Sequence, residues 1–176
     1  MTDKLLQPSM PNQVRAYQRR WLMIAFAALV LDIITKAGVS ALMPYGQSVP
    51  MTGFFNLVHT WNTGAAFSFL ADGGGWQRYF FIVIAFAVSV WIALELRKPL
   101  PASQALAYSL ILGGALGNAF DRLLRGHVVD YLDFHLGGWH WPAFNVADIA
   151  IVCGAALMVF SSLRQANDVS KEKTNE

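Results

Sequence analysis

The chain has 176 residues, of which 55% are hydrophobic and only 14% charged, and its formal net charge is +2. This composition is too apolar for an ordinary soluble domain and predicts a single membrane-embedded domain covering residues 1–176. The small net charge, without a basic stripe, argues against nucleic acid as a partner.

Four stretches of the chain are long and apolar enough to cross a bilayer, which takes about 20 residues. They lie at about 21–42, 76–96, 102–120 and 142–163. The predicted fold class is therefore mainly α, a polytopic membrane protein with four transmembrane helices. The first stretch is too long for a cleaved signal peptide and contains Asp32 and Lys36, so it is expected to remain.

The loop cations predict the orientation, because short cytoplasmic loops are enriched in Lys and Arg. Three groups fall on one side: Arg15, Arg19 and Arg20; Arg97 and Lys98; Arg164, Lys171 and Lys173. Both termini are therefore expected in the cytoplasm, and segments of about 43–75 and 121–141 outside it. The outer side also collects the aromatic residues expected at a membrane boundary, namely Trp61, Trp76, Trp139 and Trp141.

The two outer segments have the composition of short strands. Residues 51–70 mix β-branched and aromatic residues around Asn-Thr-Gly, which favours strands and a close backbone approach at Gly64. Residues 127–141 carry a similar run before Gly137-Gly138, a plausible hairpin turn.

Polar residues inside the first helix need a reason, since burying even paired charges in a membrane is costly. Asp32 and Lys36 are four residues apart and share a helix face. They either neutralise each other or help to hold a functional site.

The third and fourth helices carry further polar residues on defined faces. Gly113 and Gly117 form a GxxxG face that permits close helix contact. An amide, an acid and a guanidinium then follow on one face at Asn118, Asp121 and Arg122. Asn145 and Asp148, three residues apart, enter the membrane together.

Paired carboxylates are the most plausible chemical group in this sequence. Two carboxylates held together cannot easily both ionise, so one keeps a proton while the other activates a water, as in aspartic proteases. Motifs for serine hydrolases, zinc proteases and nucleotide binding are absent from the sequence. Neither a metal nor a cofactor is expected: His127, His135 and His140 lack zinc-site spacing, and Cys153 is predicted to be a buried small hydrophobe.

Four sequence blocks resemble the lipoprotein signal peptidases (signal peptidase II), which are bacterial membrane aspartyl peptidases. The blocks are NTGAAF at 62–67, GGALGNAFDR at 113–122, VVDYLDF at 128–134 and FNVADIAI at 144–151, in the family's order. Asp32 and Lys36 match as well, and the resemblance spans about residues 20–163.

The resemblance implies four transmembrane helices with a small extracytoplasmic β-cradle, in the bacterial inner membrane. It implies cleavage of prolipoproteins on the amino side of a diacylglyceryl-modified cysteine, in contact with membrane lipid, by a catalytic dyad of Asp130 and Asp148. Asp121 is expected to orient a neighbour such as Arg122 or Arg125, and Asp133 to be a solvated strand residue. The other expected substrate-binding or supporting residues are Asp32, Lys36, Asn62, Gly64, Asn118, Arg122 and Asn145.

Two other classes of function fit the composition. Charged residues in four membrane helices are also compatible with a small proton-coupled transporter or channel. Against it, the chain shows no internal repeat and its polar residues gather at one boundary. A non-catalytic membrane scaffold is the other alternative, and it would tolerate Asn at positions 130 and 148.

Overall fold

The computed structural model describes residues 10–64 and 74–174, and the side chains of 15–64 and 74–164. The described chain is mainly helical, as predicted. It comprises four helices, α1 (Met10–Leu42), α2 (Trp76–Glu95), α3 (Ala102–Arg125) and α4 (Val146–Thr174). Four short strands accompany them, β1 (Ser48–Pro50), β2 (Phe55–Asn62), β3 (Val128–Leu136) and β4 (Trp139–His140).

Several helix ends differ from the sequence expectation, because hydropathy detects the apolar part of a helix and not its polar extensions. α1 begins at Met10 instead of about 21, and α4 runs from Val146 to Thr174 instead of about 142–163. The third helix also continues past its expected end at about 120, to Arg125. That helix ends at Gly126, whose φ of 84° is the left-handed conformation that glycine adopts at helix C-termini.

α3 is the central helix and packs against α1, α2 and α4. Small residues permit the close contact that the GxxxG pattern predicted. A side chain at Gly113 would collide with the backbone carbonyl of Ala25 in α1, and one at Gly114 with that of Ala147 in α4. Gly154 of α4 faces Ala107 of α3 in the same way.

By length and composition, three helices of the described chain can cross a membrane: Arg15–Leu42, Trp76–Glu95 and Val146–Arg164. α3 is not among them. Because neighbours surround it, α3 can carry residues such as Ser109 and Asp121, both buried, that a lipid-facing helix would not. Large apolar side chains are exposed along the other helices, including Phe26, Val83 and Phe160, whereas α3 exposes them near its C-terminal end, at Phe120, Leu123 and Leu124. Cys153 is also exposed, so its predicted burial is wrong: it lies on an outward face of α4, where lipid can replace protein packing.

The strands form one antiparallel sheet in the order β1-β2-β3-β4. The predicted hairpin is present, with Gly137 and Gly138 at φ of 58° and 84° between β3 and β4. β2 confirms a strand within 51–70, although residues 65–70 lie outside the described chain. Asp133 is not the solvated residue that was expected. It is 8% exposed, because Asn56 Nδ2 (2.8 Å) and His140 Nδ1 (2.9 Å) cover its carboxylate.

The two ends of the molecule differ in character. At one end, the Tyr17 hydroxyl donates to the Leu100 carbonyl (2.6 Å) and accepts from the Leu100 N–H (3.2 Å). The start of α1 and the connection between α2 and α3 therefore lie together. At the other end, β3 contacts both α1 and α3. The predicted site residues lie at this second end.

Candidate active site

Asp130 and Asp148 come from different elements, strand β3 and the first turn of α4. Asn145 joins them: its side-chain Nδ2 donates to Asp130 Oδ1 (2.6 Å), and its backbone N–H donates to Asp148 Oδ2 (3.2 Å). One fully buried residue thus contacts both carboxylates. The chain between the two aspartates folds back through the β3–β4 hairpin, as the sequence suggested.

Asp148 is held by the start of its own helix. Asn145 and Asp148 form a reciprocal cap, in which the Asp148 N–H also donates to Asn145 Oδ1 (3.0 Å). Asn118 Nδ2 donates to Asp148 Oδ1 (2.8 Å). These donors and the positive end of the helix dipole complement a negatively charged carboxylate at this position.

Asp130 lies in a more enclosed environment, with only 2% of its surface exposed. Burial, together with the negative charge of Asp148, raises the pKa of Asp130 to about 7, although hydrogen bonds from Asn62 and Asn145 oppose the rise. The Asn62 contact joins its Nδ2 to Asp130 Oδ2 over 3.1 Å. Near neutral pH, Asp130 can therefore hold a proton while remaining able to release it.

Lys36 is the centre of a buried network on the helical side of the site. Its ammonium contacts Asn118 Oδ1 (2.8 Å), Asp32 Oδ2 (2.8 Å) and Asp121 Oδ2 (3.2 Å). Because a lysine can only donate, it fixes which amide atom of Asn118 faces it. The Asn118 Nδ2 is thereby directed to Asp148. The Asp32–Lys36 pair that was expected is present, and it also reaches the site.

The two acids that contact Lys36, Asp32 and Asp121, also accept hydrogen bonds from the backbone. Asp32 Oδ1 accepts a hydrogen bond from the Ala147 N–H (2.8 Å), and Asp121 Oδ2 accepts one from the Val129 N–H (3.2 Å). Ala147 directly precedes Asp148, and Val129 directly precedes Asp130. Each supporting acid therefore holds the backbone next to one of the paired carboxylates.

The contacts of Asp121 differ from those that helix spacing suggested. It does approach Arg125, with 3.7 Å between Nε and Oδ1, but its shorter contacts are to Lys36 and Val129. Arg122 instead donates a hydrogen bond from its Nη2 to the Gly64 carbonyl (2.6 Å). The guanidinium also lies 5.0 Å from the ring centroid of Phe81. Arg122 thereby connects the chain after β2 to α3.

Sequence reasoning missed the pair formed by Tyr131 and Thr35. The Tyr131 hydroxyl donates to Thr35 Oγ1 (2.7 Å), which ties β3 to α1 beside the network. The only signal in the sequence is adjacency, since Tyr131 follows Asp130 and Thr35 precedes Lys36.

The three histidines considered for a metal have other contacts. His127 stacks on Trp61, and His135 stacks on His140. Among the described side chains, those of residues 15–64 and 74–164, no group of three or more potential metal-binding residues is found.

The model of the signal peptidase II family matches residues 24–164. A lipoprotein signal peptidase of Aeromonas hydrophila is 56% identical over 148 residues, covering 82% of this chain and 89% of the relative. One from Serratia marcescens is 60% identical, covering 75% of this chain and 78% of the relative.

Solved structures agree with the sequence comparison. A bacterial membrane enzyme determined by the in meso method at 2.3 Å resolution matches with a TM-score of 0.77 and 29% identity, over 85% of this chain and 90% of that one. A second, at 1.9 Å resolution, matches with a TM-score of 0.71 and 30% identity, over 82% and 92%. These similarities leave the transporter alternative without support. The chain belongs to the signal peptidase II family of aspartic membrane peptidases.

Proposed function

We propose that Asp130 and Asp148 are the catalytic dyad with which this signal peptidase II removes signal peptides from diacylglyceryl-modified prolipoproteins, on the amino side of the lipidated cysteine. The observation that carries the proposal is the contact of Asn145 with both carboxylates. No cofactor is required, because the two acids can supply both proton transfers.

The two acids have different roles in the proposed reaction. Asp148, with donors from Asn118 and Asn145, is the ionised base, and Asp130, with its pKa raised to about 7, carries the proton. Asp148 takes one proton from a water whose oxygen attacks the scissile carbonyl carbon. As the C–N bond breaks, the proton of Asp130 passes to the departing amine. Transfer of a proton from Asp148 back to Asp130 restores the starting state.

The remaining site residues position these groups. Lys36, Asp32 and Asp121 hold Asn118 and the two backbone N–H groups beside the dyad, while Asn62 and Arg122 hold the end of β2. Gly64 presents its carbonyl to Arg122. The lipid chains of the substrate would lie between exposed apolar helix surfaces, so that an anchor outside the reaction brings the peptide bond to the dyad.

The proposed arrangement is a single domain of residues 1–176 in the bacterial inner membrane, with α3 as the fourth span. Both termini are cytoplasmic and the dyad lies near the extracytoplasmic face. The contact between Tyr17 and Leu100 supports this orientation, because it brings the cation-rich start of α1 close to Arg97 and Lys98. The central packing of α3 supports its inclusion in the membrane.

The test is cleavage of a lipidated prolipoprotein by the purified full chain in detergent. D130N and D148N are each expected to reduce the rate by at least about 100-fold, the lower range for loss of a general acid or base. D133N, on the same strand but outside the dyad, is the matched control and should retain cleavage within about tenfold. Normal cleavage by D130N or D148N would show that the assignment is wrong. Thermal unfolding of each variant separates chemistry from misfolding, and an unlipidated precursor should remain uncut.

A further inference from the structure

α1 is longer than a membrane requires. Its 33 residues extend about 50 Å, whereas the hydrocarbon core is about 30 Å thick and takes about 20 residues. Counting back about 20 residues from Leu42, at the end near the sheet, reaches Met23. Arg19 and Arg20 then lie at the level of the lipid headgroups on the opposite side, and Arg15 lies one turn beyond.

The same end of α1 combines charge with exposed apolar surface. Arg15, Arg19, Met23 and Phe26 follow one another at spacings that place them on one helix face. Met23 is 63% exposed and Phe26 is 65% exposed. A shallow, open surface groove of about 310 Å³ lies between the side chains of this face, formed by α1 alone and lined by Arg15, Gln18, Arg19, Leu22, Met23 and Phe26. Cations thus border one end of the groove and apolar side chains the other.

The charge of this groove is not neutralised within the described structure. Among the described side chains, Arg15, Arg19 and Arg20 form no ion pair, whereas nearby Lys98 pairs with Glu95 over 2.6 Å. Guanidinium groups bind phosphate through paired hydrogen bonds, and the uncompensated positive charge favours a phospholipid with a net negative charge over a zwitterionic one. The exposed Met23 and Phe26 at the other end of the groove favour a phosphate that carries an acyl chain.

We infer that this face of α1 binds an anionic phospholipid, with its phosphate between Arg15 and Arg19 and an acyl chain along Met23 and Phe26. The site lies at the opposite end of the molecule from the dyad and is separate from the substrate site. The proposed orientation determines only the leaflet that supplies the lipid, which is the cytoplasmic one. The binding itself does not depend on that orientation.

The test is lipid retention by the full chain in detergent, measured by native mass spectrometry. The protein is given equal amounts of phosphatidylglycerol, which is anionic, and phosphatidylcholine, which is zwitterionic, with the same acyl chains. The wild type should retain the anionic lipid preferentially. If each arginine contributes about fivefold in affinity, R15Q/R19Q should weaken phosphatidylglycerol binding by about 25-fold.

The matched control is R97Q/K98Q, which removes the same charge from the same end and should change binding less than about threefold. An equal loss in both double variants would mean that general charge attraction is enough and would overturn a defined site. Equal retention of the two lipids by the wild type would overturn it as well. Both variants should still cleave lipidated prolipoprotein, which verifies their fold. If R15Q/R19Q does not fold, R19Q alone should show the fivefold loss.

Discussion

At the scale of single residues, hydrogen-bonding capacity defines the site. Lys36 can only donate a hydrogen bond, so Asn118 must turn its Oδ1 to Lys36 and its Nδ2 to Asp148. Asn145 likewise turns its Nδ2 to the carboxylate of Asp130, which accepts. Asn145 combines two functions, since the residue that caps α4 also contacts Asp130. A change in an asparagine should therefore alter the protonation of the dyad as well as its position.

The first prediction concerns pH and Asn62. With the pKa of Asp130 raised to about 7, activity should fall as pH rises through about 7, because the proposed acid then loses its proton. The Asn62 hydrogen bond stabilises the ionised form and lowers this pKa. N62A should therefore move the alkaline limb of kcat/KM to higher pH, as measured over a pH series with lipidated prolipoprotein.

N56A is the control for this prediction, because Asn56 lies on the same strand and contacts Asp133 instead of Asp130. It should leave the alkaline limb in place. A limb that stays fixed or moves to lower pH in N62A would contradict the proposed role of Asp130 as the acid.

The residue-scale predictions from sequence succeeded or failed for physical reasons. The polar residues expected near one another are brought together, as the contacts of Lys36, Asn118 and Asn145 show. The environments of Asp133 and Cys153 were wrong, since a cross-strand asparagine and an outward helix face are tertiary features. For Asp121 the expectation named only Arg122 or Arg125 as a neighbour. It missed Val129 and Lys36, because these residues lie on other elements, β3 and α1.

At the scale of elements, apolar run length predicted the positions of the helices but not their ends. Caps decided the ends: Asn145 begins α4, and Gly126 terminates α3 beyond the polar residues Asp121 and Arg122. The pattern Gly113-x-x-x-Gly117 correctly indicated close helix contact. It could not indicate which partner each glycine meets, and Gly114 proved equally close to α4.

The second prediction tests this close packing at Gly113. A methyl group there would meet the Ala25 carbonyl and Ala28 Cβ, so α1 and α3 must move apart. G113A should lower the free energy of unfolding by about 1–3 kcal/mol, the usual cost of overpacking. The measurement is the apparent Tm in detergent.

The control is another helical glycine, Gly38 of α1, where an added Cβ has no neighbour within 4 Å. G38A should be neutral or stabilising by up to about 1 kcal/mol, because alanine favours helix. Equal losses in the two variants would show that helix contact at Gly113 is not the cause.

At the scale of the whole molecule, Lys36 links α1, α3, α4 and β3. It pairs with Asp32, which holds Ala147 of α4, and with Asp121, which holds Val129 of β3. The sequence showed the local pair of Asp32 and Lys36, four residues apart. It could not show the long-range partners, because they depend on how the helices and the strand meet.

The last prediction tests how the balance of buried charges around Lys36 affects the stability of the protein. K36Q leaves the carboxylates of Asp32 and Asp121 buried without their shared cation, which should cost about 3–5 kcal/mol of unfolding free energy. D32N/K36Q also removes one of these negative charges, and Asp121 keeps Arg125 and the Val129 N–H. The double variant should therefore unfold at a higher temperature than K36Q, although both should cleave slowly because Asn118 loses its fixed orientation.

K98Q is the control, because Lys98 forms an exposed pair with Glu95, and it should change Tm little. A double variant less stable than K36Q would show that hydrogen bonding by Asp32 outweighs its charge.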